Sequence, residues 1–220
     1  MQALFQIPVL QRSAFAAGLT VAACYPRLAF WQERAHAVAY LLAVMFICTL
    51  FLWAFVFAWH RKYTGQDVFR FRLPATLWIN ASLTALIVGV VSFLFLDPIL
   101  RKLTPQDYPH DVAAWAAMTL FSLAMEQLFL YFAPFALFMR LFRSPRAAMV
   151  STVIFVVFLL CLKSSSSATP PPVTVIMGLA IFRLVVAWAS VQFFAQGGAI
   201  LQSWWTLLLQ ARFLFSLSES

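Results

Sequence analysis

The 220-residue chain is 64% hydrophobic and only 10% charged, with a mean hydropathy of +0.89. A soluble domain carries about a quarter charged residues, so this chain cannot cover its own surface with polar groups and belongs in a membrane. Its 15 Lys+Arg against 7 Asp+Glu would suggest nucleic acid in a soluble protein. Here the basic residues stand at the ends of apolar runs, as topology signals and headgroup contacts do, so nucleic acid is not expected as a partner.

In chain order, residues 1–36 hold the weakest pattern. Ala14 to Cys24 is apolar but only 11 residues long, between Arg12 and Pro26-Arg27. That length predicts a short or interfacial helix; a full span requires residues from Leu4 onward and a snorkelling Arg12. No basic stretch precedes the apolar part, so a cleaved leader is not expected. Ala37 to Trp59 is a span, ended by Trp59-His60-Arg61-Lys62-Tyr63 at the interface. The link 64–74, with alternating Phe69-Arg70-Phe71-Arg72, is expected to lie among lipid headgroups. Leu77 to Leu96 is the next span, stopped by Asp97-Pro98. In the polar loop 97–111, Asp111 suits a helix N-cap better than it suits a metal shared with His110.

Val112 to Met139 is 28 residues, about 42 Å of helix, longer than a hydrocarbon core of roughly 30 Å. Pro134 predicts a bend, because its ring clashes with the carbonyl four residues back. The only acidic or basic side chain in this helix is Glu126, near its middle. A lone carboxyl there costs several kcal/mol unless paired or protonated, which makes Glu126 the candidate catalytic residue. Thr119, Ser122 and Glu126 are spaced as one polar seam, with Gln127 beside it, and such a seam is expected to face other protein or trapped water, not lipid. The architectural alternative is an ion pair between Glu126 and Arg183, since both fall near the middle of their spans.

Ser144-Pro145 reads as N-cap and first turn of a helix reaching Leu162. A polar low-complexity loop, 163–172, follows. Val173 to Phe194 and 199–216 are two further spans separated by Gly197-Gly198, and the second carries Gln202 and Gln210. The fold class is therefore all-α, a polytopic transmembrane helix bundle of five to seven spans, with an N-terminal segment 1–36 that is an interfacial or short membrane helix and a helical membrane domain over residues 37–220. Cys24, Cys48 and Cys161 have no zinc or disulfide spacing; no metal or other cofactor is indicated. Loops 60–74 and 140–146 fall on one side and hold seven Lys+Arg, which places them in the cytoplasm.

The segment Met125-Glu126-Gln127-Leu128-Phe129-Leu130-Tyr131, followed by an Arg-terminated helix end and Ser-Pro, resembles the first motif of the CPBP family of CAAX proteases and bacteriocin-processing enzymes. The likeness extends over roughly Phe71 to the C-terminus. It implies a bacterial inner-membrane helical peptidase in which a glutamate activates water, helped by histidines. The family's first Glu falls on Met125 and its Arg on Leu130. Its two histidine motifs have no counterpart, since His36, His60 and His110 all precede Glu126. The resemblance therefore implies a degenerate, non-catalytic relative acting through membrane partners. The alternatives are a glutamate-dependent intramembrane endopeptidase, or a subunit of a larger complex or transporter.

Overall fold

A computed structural model describes residues 6–31, 35–105, 108–165 and 173–217. The loop expected at 163–172 therefore lies largely outside the described residues. The helices are α1 (Ile7–Trp31), α2 (Ala35–Thr64), α3 (Ala75–Val91), α4 (Asp97–Leu103), α5 (Val112–Phe121), α6 (Ala133–Phe142), α7 (Pro145–Ser165) and α8 (Val173–Leu217). Apolar surroundings leave backbone groups no partner but the helix itself, so a sequence this apolar is driven to helix throughout. Among the described residues, five helical stretches are long and apolar enough to cross a membrane, and α7 adds a shorter apolar one, Pro145–Leu159. The all-α bundle is as expected.

Residues 7–31 form one continuous helix around Pro26 rather than a short interfacial piece. It lies along α2, with the Trp53 indole N–H donating to Thr20 Oγ1 at 3.0 Å. Arg12 shares a groove with Arg61, Asp67 and Phe69, so its charge joins the basic end of the bundle.

Asp97-Pro98 does not stop the third span; the helix runs on to Leu103. Proline removes one N–H and crowds the preceding turn. The chain absorbs this in a widened, π-helical turn, Ser92–Leu96, whose bond runs from the Asp97 N–H to the Ser92 carbonyl. The same device precedes Pro134. There the turns Ser122–Glu126 and Leu128–Phe132 come in succession, with Pro134 two residues beyond the second. Asp111 caps α5 as expected, accepting from the Ala114 N–H at 2.6 Å. Asp111→Ala should lower stability by about 1 kcal/mol, read as a small drop in melting temperature, while Asp111→Asn or Ser should hold it.

α8 is two helical arms joined at a kink. Gly198 has φ 72° and ψ −166°, a conformation open essentially to glycine alone. In a straight helix residues 190 and 205 would stand about 22 Å apart; instead the Trp205 indole donates to Ser190 Oγ at 3.1 Å and stacks near Phe193. The two arms, either side of Gly198, fold back on each other as the two expected spans.

Two apolar cores result. Ala81, Ala85 and Val88 of α3 pack between the arms of α8, against Phe193, Leu201 and Trp205. The larger core joins α1, α2, α6, α7 and the first arm. At its basic end Trp59 and His60 are buried within the protein: Arg140 stacks on Trp59 at 4.3 Å, and His60 lies between Phe135 and Phe194. Segment 64–74 also turns inward. Val68 is buried, Phe69 meets Trp53 and Phe57, and the Val68 carbonyl accepts from the Ala199 N–H at 2.8 Å. Phe71, 78% exposed, and Arg72 keep the outward attitude expected of the link.

Candidate functional site

The polar seam of α5 meets a matching seam on the second arm of α8. Gln202, Thr206 and Gln210 recur every four residues, so they share one helix face. Gln210 Nε2 donates to Ser122 Oγ at 3.3 Å, and Ser122 Oγ donates to Glu126 Oε2 at 2.7 Å. Gln202 Nε2 donates to Gln127 Oε1, and lies 3.4 Å from Thr206 Oγ1. The Trp115 indole N–H donates to the Gln210 carbonyl at 2.9 Å. Ser122 and Gln127 therefore face protein, as their spacing predicts. Thr119 is also buried, but its hydroxyl and Gln202 Oε1 find no partner among the described residues.

Glu126 departs from the rest of the seam. Its neighbours Ser122 and Gln127 are buried, whereas Glu126 itself is exposed on the flank of the bundle. The bond described for its carboxylate is to Ser122, not to Arg183, which stands half-buried on the first arm of α8. Similar depth along two spans does not fix which way each helix turns its side chain, and here the two residues are not brought into a described ion pair. The protein's histidines are elsewhere: His60 is among phenylalanines, and His36 and His110 are exposed. Among the described residues no three His, Cys, Asp or Glu side chains cluster as a metal site would require.

The buried ion pair lies at the other end of the bundle, between residues that spacing alone did not join. Arg212 Nε contacts Asp97 Oδ2 at 3.1 Å, with the two side chains 18% and 3% exposed. Tyr108 donates to Asp97 Oδ1 at 3.0 Å, and Ser92 Oγ lies 3.4 Å from the same oxygen. Arg212 also donates to the Leu209 carbonyl at 2.9 Å and stacks over Phe213 at 4.2 Å. Burial first, then the Asp97 charge and hydrogen bond, push the Tyr108 phenol above its ordinary pKa, against the opposing pull of Arg212 and Arg101. Tyr108 thus holds its proton and serves as a donor. Asp97 is engaged by Arg212, Tyr108 and Ser92 together, which suits a clasp between α4, Tyr108 and the last helix rather than a reactive centre. The signal for it, an Asp before Pro and an Arg near the chain end, was visible but lacked a partner rule.

Compared with known proteins, the chain matches no family model, no curated protein and no solved structure.

Proposed function

We propose that this chain is a non-catalytic, multi-pass membrane protein that works by docking a partner membrane helix at Glu126, with loops 60–74 and 140–146 facing the cytoplasm of a bacterial inner membrane. A degenerate relationship to the CAAX-protease family fits the same reading. The observation that carries it is the placement of one carboxyl near mid-span, exposed on the bundle's flank and held by a single hydroxyl. A carboxylate facing hydrocarbon must be protonated or matched by a donor from outside. An Arg, Lys or polar side chain on a neighbouring helix supplies that match, and the Ser122–Gln210 relay fixes the carboxyl's direction from behind. Nothing near Glu126 corresponds to the histidines that would hold water or an oxyanion.

Stability and association separate this role from a structural one. Glu126→Gln should leave the melting temperature within about 2–4 °C, an energy of roughly 1 kcal/mol, because a glutamine can keep the bond from the Ser122 hydroxyl. If Glu126 instead closed an ion pair inside the bundle, losing it would cost about 3–5 kcal/mol. A photoreactive residue at Phe129, one turn along the exposed flank, should crosslink a discrete membrane protein in native membranes, and Glu126→Leu should remove that product. An unchanged crosslink would defeat the docking role.

A second reading, intramembrane peptidase, draws on one observation: Glu126 lies between two π-helical turns, a distortion frequent at functional sites. Cleavage of a prenylated CAAX peptide by the wild type, lost in Glu126→Gln, would establish it in place of the first.

A further inference from the structure

Between α3 and the first arm of α8 runs a groove of about 690 Å³, open to the side of the bundle. That volume is in the range of small-molecule sites, roughly 300–1,000 Å³. Its floor is apolar, with Leu184, Val185, Trp188 and Phe193. Its upper wall is not: Asn80, Gln192 and Gln196 present side-chain amides that make no hydrogen bond to any described residue. An unmatched amide facing hydrocarbon costs at least 1–3 kcal/mol, so three in one groove call for a polar occupant at that depth.

The depth is informative. Asn80 is five residues into α3, about 8 Å along the axis, and Thr84 about 14 Å. On the facing arm Gln196 and Gln192 precede the turn at Gly198 by two and six residues. The amides therefore cluster at the end of the groove nearest segment 64–74, and the apolar lining at Leu184, Val185 and Trp188 continues away from it. At the mouth, Arg70 Nη1 donates to the Gln196 carbonyl at 2.7 Å and to Gln66 Oε1 at 3.0 Å. Those bonds hold its guanidinium against Gln196, at the edge of the groove, without neutralising it. The acidic residue nearby, Asp67, is engaged by Arg61 at 3.4 Å, and Arg72 adds a second exposed cation.

We infer that this groove binds one anionic phospholipid from the leaflet on the basic side. The phosphate sits at Arg70 and Arg72, the ester carbonyls accept from Asn80, Gln192 and Gln196, and an acyl chain lies along Val185, Trp188 and Phe193. A guanidinium suits a phosphate through paired N–H donors, and no zwitterionic lipid gains equally from two uncompensated arginines.

The full chain in detergent, titrated with phosphatidylglycerol or phosphatidylcholine of identical acyl chains, can be read by native mass spectrometry. One saturable phosphatidylglycerol adduct is expected, preferred by about fivefold or more per arginine engaged. Arg70→Gln should erase that preference; Arg72→Gln, at an exposed position, makes the same charge change if Arg70→Gln fails to fold. Asn80→Leu with Gln192→Leu should weaken both lipids without lowering the melting temperature, because it removes amides that have no partner. Equal retention of the two lipids, or adducts indifferent to all these substitutions, would overturn the inference. So would a dimer of the wild type that the leucine variant loses, since the groove would then be an interface between copies.

Discussion

Arg212→Met should lower the melting temperature of the purified protein by about 6–20 °C, the equivalent of roughly 3–5 kcal/mol for a chain of this size. The substitution leaves the Asp97 carboxylate, 3% exposed, without its cation. Tyr108 and Ser92 still address one oxygen, but hydrogen bonds from neutral donors do not replace a guanidinium in a low dielectric. The double variant Asp97→Asn with Arg212→Met should recover most of the loss, because removing both charges together is often near neutral. What it cannot recover is the Arg212 bond to Leu209 and its stacking on Phe213. Equal melting of the single and double variants would show that the pair contributes through packing alone.

Gly198→Ala should be the most damaging single methyl addition in the chain. A Cβ there would stand 2.3 Å from the Val68 carbonyl oxygen, and a backbone atom cannot swing aside as a side-chain tip can. The conformation itself costs a non-glycine residue about 1–3 kcal/mol, before any clash. Relief requires the 66–70 segment to lift off the tip of α8, losing the Ala199–Val68 bond at 2.8 Å and the Phe69 contacts with Trp53 and Phe57. Melting temperature and protease cleavage within 64–74 should both report it. Gly89→Ala is the control: a Cβ there meets nothing within 4 Å, and helix propensity favours alanine by up to about 1 kcal/mol. Similar behaviour of the two variants would contradict the role given to the turn.

The bundle was legible because apolar run length is a strong signal in this class of protein. The seam was legible because Thr119, Ser122 and Glu126 are neighbours on one helix, and local spacing needs no knowledge of the tertiary fold. Asp97–Arg212 was not, because 115 residues separate the partners and the local rule for Asp-Pro reads as a stop. That rule assumes a strict α-helix; a widened turn at Ser92–Leu96 evades it. The burial of Trp59 and His60 was not legible for a related reason. Aromatic and basic residues at a helix end suit an interface, but here segment 64–74 and α6 roof that end and make it interior. The Glu126–Arg183 pairing rested on depth alone, which leaves the azimuth of each helix undetermined.

The turns before Pro134 carry one more consequence. A π turn accommodates one residue beyond the α-helical count, so each shifts the angular phase of everything downstream by about 100°. Two in succession, at Ser122–Glu126 and Leu128–Phe132, mean that a helical wheel drawn from Val112 is out of phase by the time it reaches Phe135 and Met139, both buried. The chain thereby aims the polar side chains of its first half at α8 and the aromatic ones of its second half at α2 and α7. Deleting a single residue between 128 and 132 would leave composition almost untouched while rotating one half of the helix against the other.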